Sequence, residues 1–383
     1  MKTLGMFSSQ PTIRMNRLIN PPAFFAALVA TLLFSATASP QRLPDGPDVS
    51  IDAKTRSGAL QSLEKVLREE YVFPDMGEKL ATMLQTRQAR GEYDSVISAK
   101  AFSELLTSQM REVSQDRHLR VRYSSEVIGP DATGDRRPPP LPEEVTRMAK
   151  VNYSFDRVER LSGNVGYLKF DRFQNAQLCG STVAAAMSFL ANTDALIIDL
   201  RGNGGGSPAT VALVASYFFS GDQPVHLNDI AYRRQGTSDY EIRQSWTLPY
   251  VPGQRYLGKE VYILTSHMTF SGGEEFTYDL QTLKRATIVG EVTRGGANPG
   301  GTHRLADHLA VFIPDGHAIN PVTHTNWEGT GITPDIAVPP EDALKIAHRT
   351  ALEHLIAKTT GEEELGALKQ ALAIVDIEHA GQR

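Results

Sequence analysis

The apolar positions of this chain change their period along its length. From Ile51 the spacing is helical: Leu60, Leu63, Val66 and Leu67 share one face, and Pro74 ends the run just after Tyr71-Val-Phe. Residues 76–90 predict a second helix, stopped at Gly91. Residues 99–113 predict a third, with Phe102, Leu105, Leu106 and Met110 as its apolar stripe. It runs into Asp116-Arg-His-Leu119, and the continuation to Tyr123 alternates like a strand. A small helical N-terminal domain over 51–128 is the expectation. A Pro/Gly/Asp linker (39–50) precedes it, and a stiff Pro-rich linker (129–145, containing RRPPPLP) follows.

Beyond that linker the pattern shortens. Residues 152–161 and 165–170 predict strands joined by a Ser-Gly-Asn turn, and 181–190 a helix. DALIIDL (194–200) is continuously apolar in its middle, as a strand buried on both faces must be. It ends in Arg201-Gly-Asn-Gly-Gly-Gly206, and a helix is expected over 208–219. Residues 221–256 look long and irregular, suited to lining a cleft or forming a flap. Then come a strand (260–265), a turn at Ser271, a helix (273–284), a strand (287–292) and a Gly-rich loop (294–301). A hairpin is expected between 303–313 and 317–321 across Pro314-Asp-Gly316, and a C-terminal helix from about Glu341. Strands alternating with helices argue for an α/β core over 146–345, with a helical tail over 346–383.

Composition narrows the partners. The 383 residues are 22% charged with a net charge of −5 and no basic tract, which argues against nucleic acid or an anionic membrane. The single cysteine, Cys179, excludes an internal disulfide framework and any cysteine-based zinc cluster. Lys2, Arg14 and Arg17 precede an apolar stretch, AFFAALVATLLF (23–34), too short to span a bilayer comfortably. Ala36-Thr-Ala38 then fits a small-x-small cleavage site. Residues 1–38 are therefore expected to be a signal peptide, starting at Met1 or Met15, with the mature chain exported to the periplasm or secreted and not inserted in the membrane.

Four places carry candidate chemistry. Ser271 sits in Ser-Gly-Gly-Glu-Glu between a strand and a helix. It reads either as a capping-box serine, with Glu274 three residues on, or as a nucleophile displayed on a tight turn. As a nucleophile it needs a base, because a free hydroxyl is feeble at neutral pH. The glycine run after DALIIDL fails as a dinucleotide fingerprint and lacks the Gly-Lys-Ser/Thr of a phosphate loop. It is either a tight strand-to-helix turn or a source of backbone N–H groups for an oxyanion. His118, flanked by Arg117 and Arg120, reads as a surface histidine or as a base. Glu328, in Asn-Trp-Glu-Gly, either caps a loop or orients an imidazole. His303, His308, His317 and His324 gather late in the chain without metal-ligand spacing, so no metal or other cofactor is expected.

In order along the chain, EEYVFPDMGEKLATML, SQDRHLRV, NVGYLKFDRF, ALIIDLRGNGGG, TFSGGEEFTYDLQTLKRATIVGE, GGANPGGTHR and INPVTHTNWEGTGITPDI resemble the tail-specific (carboxy-terminal processing) peptidase family. They resemble most its branch with the tricorn core and the interphotoreceptor retinoid-binding protein modules, over about Leu60 to Leu344. The resemblance implies a β-β-α spiral core like that of crotonases and Clp proteases, and a serine peptidase acting on a peptide or protein. It places the nucleophile at Ser271. The processing peptidases carry their base, a lysine, about 25 residues downstream, and that position is Gly296 here. The tricorn branch instead implies His118 as base and Glu328 as its partner, acting directly or through an intervening group. Backbone N–H groups of Gly272 and of Gly204 or Gly205 would then hold the oxyanion. One departure is Arg117, where the tricorn pattern has a serine that assists the relay. The retinoid-binding relatives imply the alternative of a non-catalytic module for a hydrophobic ligand.

Overall fold

The structure is a computed structural model, and it describes residues 46–129 and 142–380. The expected signal peptide, the choice of start and most of the Pro-rich linker lie outside those residues. The chain opens with three helices: α1 (Ala53–Glu70), α2 (Pro74–Ala89) and α3 (Ala99–Ser114). Each start has a local cause. Asp52 accepts the Thr55 N–H at 2.7 Å, Pro74 occupies the first helical position of α2, and Ser98 accepts the Ala101 N–H at 2.9 Å. α3 stops where Gln115 turns left-handed at φ 59°. Strand β1 (Arg120–Tyr123) follows at once.

After the linker come α4 (Pro142–Lys150), β2 (Phe155–Leu161), β3 (Val165–Phe170), α5 (Ala176–Leu190), β4 (Ala195–Asp199) and α6 (Pro208–Ala215). Next are β5 (His226–Arg233), β6 (Tyr240–Trp246), β7 (Glu260–Thr265), α7 (Gly272–Thr282) and β8 (Thr287–Gly290). The chain closes with β9 (Gly300–Ala306), β10 (Leu309–Pro314), β11 (Gly316–Ile319), β12 (Ile336–Ala337), α8 (Pro340–Lys358) and α9 (Glu362–Ala380).

Six strands form the central sheet in the order β12-β8-β7-β4-β3-β2, parallel except for the β2–β3 pair. The two-residue period of β4 sorts its side chains. Leu196 and Ile198 pack with Val183, Met187, Val211, Phe276 and Leu280 of α5, α6 and α7. Ala195 and Ile197 pack with Ala343, Ala347, Ala351 and Leu352 of α8 and with Leu368 and Ala371 of α9. Helices on both faces explain why β4 is apolar throughout its middle. The mixed α/β fold with a helical N-terminal region is as the sequence implied.

Two sequence expectations fail in detail. The late hairpin does not run across Pro314-Asp-Gly316. β10 pairs with β9 instead, turning at Asp307-His308, while β11 leaves for another sheet and pairs with β5. Pro314 ends a strand because it has no N–H to give to a ladder. Residues 221–256 are not irregular throughout, since β5 and β6 form an antiparallel hairpin there. Their register sets exposed residues on β6, which hides the alternation a half-buried strand shows.

The N-terminal helices are also not closed by their own residues. β1 pairs with β10, Val121 opposite Val311. Leu60, Leu63, Leu67, Phe102, Leu106 and Met110 share one core with Leu305, Leu309, Val311 and Ile313 from the far end of the chain. Leu309 is fully buried in that core. Leu309→Ala, outside the helices, should therefore cost the whole unit about 2–5 kcal/mol, read as one cooperative urea transition at a lower midpoint. A separate early transition of the helical segment would show that it folds without the late hairpin.

Candidate active site

Ser271 stands between β7 and α7 at φ 53°, ψ −123°, a backbone conformation that a residue with a Cβ rarely adopts. The surroundings enforce it. The Ser266 N–H bonds to Thr269 Oγ1 at 3.0 Å, and that hydroxyl donates to the Leu200 carbonyl at 2.8 Å. The Phe270 N–H donates to the Asn203 carbonyl at 3.0 Å. The turn is thus stitched to the end of β4. On the other side, the Ser271 N–H donates to Glu274 Oε2 at 2.8 Å, so the carboxylate half of a capping box is in place.

Glu274 does more than cap. It is fully buried, and its carboxylate also accepts from Thr293 Oγ1 (2.6 Å), Gly295 N–H (2.6 Å) and Gly296 N–H (2.9 Å). Burial raises its pKa, and these donors pull it back down. One side chain thereby joins the serine turn to the loop that follows β8.

The glycine run lies directly against Ser271. A Cβ on Gly205, at φ +90°, would fall 2.7 Å from Ser271 Cβ and from the Gly272 nitrogen. Only glycine allows that approach. The sequence reading offered Gly204 or Gly205 as oxyanion donors, but their N–H groups have other acceptors. Gly204 gives its N–H to the Asp171 carbonyl (3.1 Å) and Gly205 to Asn203 Oδ1 (2.8 Å). The amide that faces Gly272 is that of Gly206, whose nitrogen lies 3.0 Å from where a Gly272 Cβ would be. As the first helical residue, Gly272 has no acceptor for its own N–H within the helix.

His118 is partly buried, with both ring nitrogens shielded from solvent. Its ring packs on that of Phe270, the neighbour of Ser271, with centroids 4.4 Å apart. Gly296 makes the room: a Cβ there would lie 2.6 Å from His118 Cε1 and closer still to the Phe270 ring. Neither imidazole nitrogen has a hydrogen-bond partner. Burial lowers the pKa to about 4. Asp116 acts against this, while Arg111 and Arg294 add to it. The ring is held through its backbone. Asp116 Oδ1 accepts the His118 N–H at 2.9 Å, and Oδ2 accepts from Tyr71 Oη (3.0 Å) and Asn298 Nδ2 (3.2 Å). Arg111 binds the Leu119 and Arg117 carbonyls at 2.9 and 2.6 Å.

Glu328 reaches the same loop from the other side. Its Oε2 accepts the Ala297 N–H, and Trp327 Nε1 donates to the Gly296 carbonyl at 2.8 Å. Its Oε1 is buried without a partner, as is Asn298 Oδ1. Burial first, then the charge of Asp116, push the Glu328 pKa up to about 7. The Ala297 and Arg117 backbone N–H groups act in the opposite sense. The Arg117 side chain leaves the cluster and binds the Arg294 carbonyl. His118 and Glu328 therefore border one short loop, 293–298, to which Ser271 is tied through Glu274, though about 150 residues separate His118 from Ser271 and about 210 separate it from Glu328.

Among the described residues no group of three or more His, Cys, Asp or Glu is arranged to hold a metal ion. Three late histidines diverge: His303 faces Glu70 (3.3 Å), His308 bonds to the Ser124 carbonyl (2.9 Å), and His317 packs on Phe73. Cys179 is a buried free thiol. Sequence reasoning missed Asn203, Phe270, Gly296, Asn298 and Tyr71, and saw Glu274 only as a cap. Gly296, standing where a lysine was sought, carried the one usable signal.

Comparison with known proteins bears on the family and the fold. Residues 164–338 match peptidase family S41, and residues 53–158 match the N-terminal domain of Peptidase_S41 in eukaryotic IRBP. The chloroplastic carboxyl-terminal-processing peptidase 2 of Arabidopsis thaliana is 28% identical over 182 residues, covering 46% of this chain and 32% of that one. The chain thus spans about a third of that relative's length. In structure, a lipoprotein from Streptococcus agalactiae shares the fold at TM-score 0.51 and 14% identity, over 83% of this chain and 100% of that one. A mutant of CPAF does so at TM-score 0.52 and 12% identity, over 81% and 99%.

The niche made by Gly296 can be tested without reference to any activity. Gly296→Ala places a methyl group against the His118 and Phe270 rings and should displace the imidazole toward water. Its pKa should then rise from about 4 toward the ordinary 6.5, read from the ring-proton NMR titration of His118. An unchanged titration would mean that the glycine is not what seats the ring.

Proposed function

Because the chain belongs to peptidase family S41, we propose that it is an exported serine peptidase with Ser271 as nucleophile, His118 as general base and Glu328 as the group that orients and stabilises the imidazole. The observation that carries this reading is the imidazole of His118, both nitrogens shielded from solvent and unpartnered, lying on the ring next to Ser271. A base must be unprotonated and free to accept. Export rests on the signal-like residues 1–38. Among the described residues no helix is long and apolar enough to cross a membrane.

In this proposal the steps are those of acyl transfer through a serine. Ser271 Oγ attacks the scissile carbonyl carbon as its proton passes to His118. The N–H groups of Gly272 and Gly206 receive the oxyanion, aided by the positive end of α7. The C–N bond then breaks, the proton moves from His118 to the leaving amine, and an acyl-Ser271 ester remains. Water, deprotonated by His118, hydrolyses the ester and restores the hydroxyl. Arg117 supplies no hydroxyl between His118 and Glu328. The unpartnered Glu328 Oε1 and Asn298 Oδ1 supply acceptors, and a His118 ring N–H a donor, for one bridging water, the number of partners a buried water takes.

A fluorophosphonate probe should label the full chain, and Ser271→Ala should abolish labelling. His118→Ala should fold and lose about 10²–10⁴-fold in labelling rate. Undiminished labelling in that variant removes His118 as base. Absence of labelling in the natural chain, with saturable binding of a fluorescent fatty acid, would favour a hydrophobic-ligand module instead.

The pH dependence has a definite sign. His118, lowered to about 4, is already neutral above pH 5, so it gives no limb near neutrality. Glu328, raised to about 7, carries its charge only above that value, and only the charged form stabilises an imidazolium. From pH 5 the labelling rate should thus rise up to about pH 7, and Glu328→Gln should flatten that rise. A limb that survives in Glu328→Gln would assign it to another group.

A further inference from the structure

Behind the serine turn, α7 carries two acids the mechanism does not use. Glu275 and Asp279 lie one helical turn apart on the same face, 5% and 0% exposed. Glu275 Oε1 and both Asp279 oxygens have no hydrogen-bond partner. Facing them from β5 is Asn228, 1% exposed, whose Oδ1 and Nδ2 are also unpartnered. The other elements against α7 bring no counter-charge. α6 (PATVALVA) and β8 (TIVG) have no ionisable side chain. On β5, Asp229 is bound to His226 at 2.6 Å and Arg233 to the Tyr71 and Arg68 carbonyls. Glu274, on the same helix, is spent on the 293–296 loop. Asn320 Nδ2 goes to Thr282 Oγ1 at 3.3 Å, and the same uncharged amide lies beside Asp279 and pulls its pKa down against the effect of burial.

Two buried carboxyls without a cationic partner must be neutralised by a metal ion or by protons. Asn228 discriminates. A cation would take its Oδ1 but leave the Nδ2–H groups facing a positive charge. A protonated carboxyl can give its O–H to Oδ1 and brings no positive charge to the Nδ2–H groups.

We propose that Glu275 and Asp279 are positioning residues that work as protonated carboxyls: neutral, they hold the first turns of α7, and Ser271 with them, against β5, and ionised, they release it. The part concerning Ser271 rests on its being the nucleophile. Burial agrees with the assignment, since it raises Glu275 to about 7 and Asp279 well above the ordinary value, where the only charge acting on Asp279 is Glu275. For carboxyls raised in the folded state, the stabilisation is complete below the unfolded value of about 4.5. It is lost as pH rises through the folded value.

Thermal melts of the full chain from pH 5 to 9 test this in the natural protein, Glu275→Gln/Asp279→Asn and Asp279→Asn alone. In the natural protein the folding constant should fall about tenfold further per pH unit, per carboxyl, than in the double variant, up to the folded value. Parallel stability curves would overturn the proposal. So would a melting temperature raised by calcium or magnesium chloride in the natural protein but not in the variants. Should the double variant fail to fold, the infrared band of a protonated carboxyl in the natural protein at pH 7 decides, and its absence overturns the proposal. Labelling of Ser271 should drop more than tenfold toward pH 9 in the natural protein and much less in Glu275→Gln, while Glu275→Ala should label poorly at every pH. Melts that shift while labelling ignores pH would remove the positioning role. Failure of Ser271→Ala to abolish labelling would remove the nucleophile and leave the melts unaffected.

Discussion

The carboxylate of Glu274 accepts four hydrogen bonds in a place where it has no exposed surface, and the arrangement of the site depends on all four. Two oxygens have about four acceptor positions between them, so this side chain is saturated. Its donors come from both ends of the problem: the amide of Ser271, and Thr293, Gly295 and Gly296 in the loop after β8. Removing any donor would strand part of a buried charge, which costs about 1–3 kcal/mol or more. The strained dihedrals of Ser271 persist because this anchor and the stitches to β4 leave the turn no other conformation.

Once that loop is fixed, Gly296 decides which side chain can lie against Phe270 beside the serine turn. A side chain at 296 would stand where the imidazole of His118 lies. The resemblance to processing peptidases puts a lysine about there in the chain. Here the side chain is deleted, and the space is filled from the N-terminal segment. The helical region is thereby made part of the site. Its hold on the core is the shared sheet of β1, β9 and β10, and the bonds from Tyr71 and Asn298 to Asp116 seat the turn before His118. A histidine delivered in this way needs a rigid connection between distant segments, which the common apolar core provides.

Much of this was legible in the sequence, for reasons particular to each residue. β4 announced itself by being apolar on both faces. Ser271 and the glycine run were visible because turns that carry functional groups use few residue types. His118 and Glu328 could not be joined by any local rule, since nothing in a hydrogen-bonding pattern crosses two hundred residues of chain; only the ordered set of motifs linked them. The mispaired hairpin has a plain cause: Pro314-Asp-Gly looks like a turn, but there only Asp315 separates β10 from β11 and the chain passes from one sheet to another. That the N–H groups of Gly204 and Gly205 are already spent on Asp171 and Asn203 was hidden, because a sequence shows which N–H groups exist and not where they point. Glu274 was misjudged for a related reason, since a capping glutamate and a buried hub have the same local pattern.

Burial acts on the site's acids and its base in opposite directions, and this has a common logic. It lowers His118 and raises Glu328, Glu275 and Asp279, so each group is driven toward its uncharged form. The resting centre therefore approaches electroneutrality without any ion pair between His118 and Glu328. In the proposed mechanism the active form holds an ionised Glu328 near a neutral His118, and the second charge appears only when a proton moves from Ser271 to the imidazole. In a water-poor setting that imidazolium and the oxyanion would gain most from the Glu328 carboxylate on one side and the Gly206 and Gly272 amides and the α7 dipole on the other. A permanently charged pair would carry the desolvation cost of both ions at all times; the proposed site carries that of the imidazolium only along the reaction.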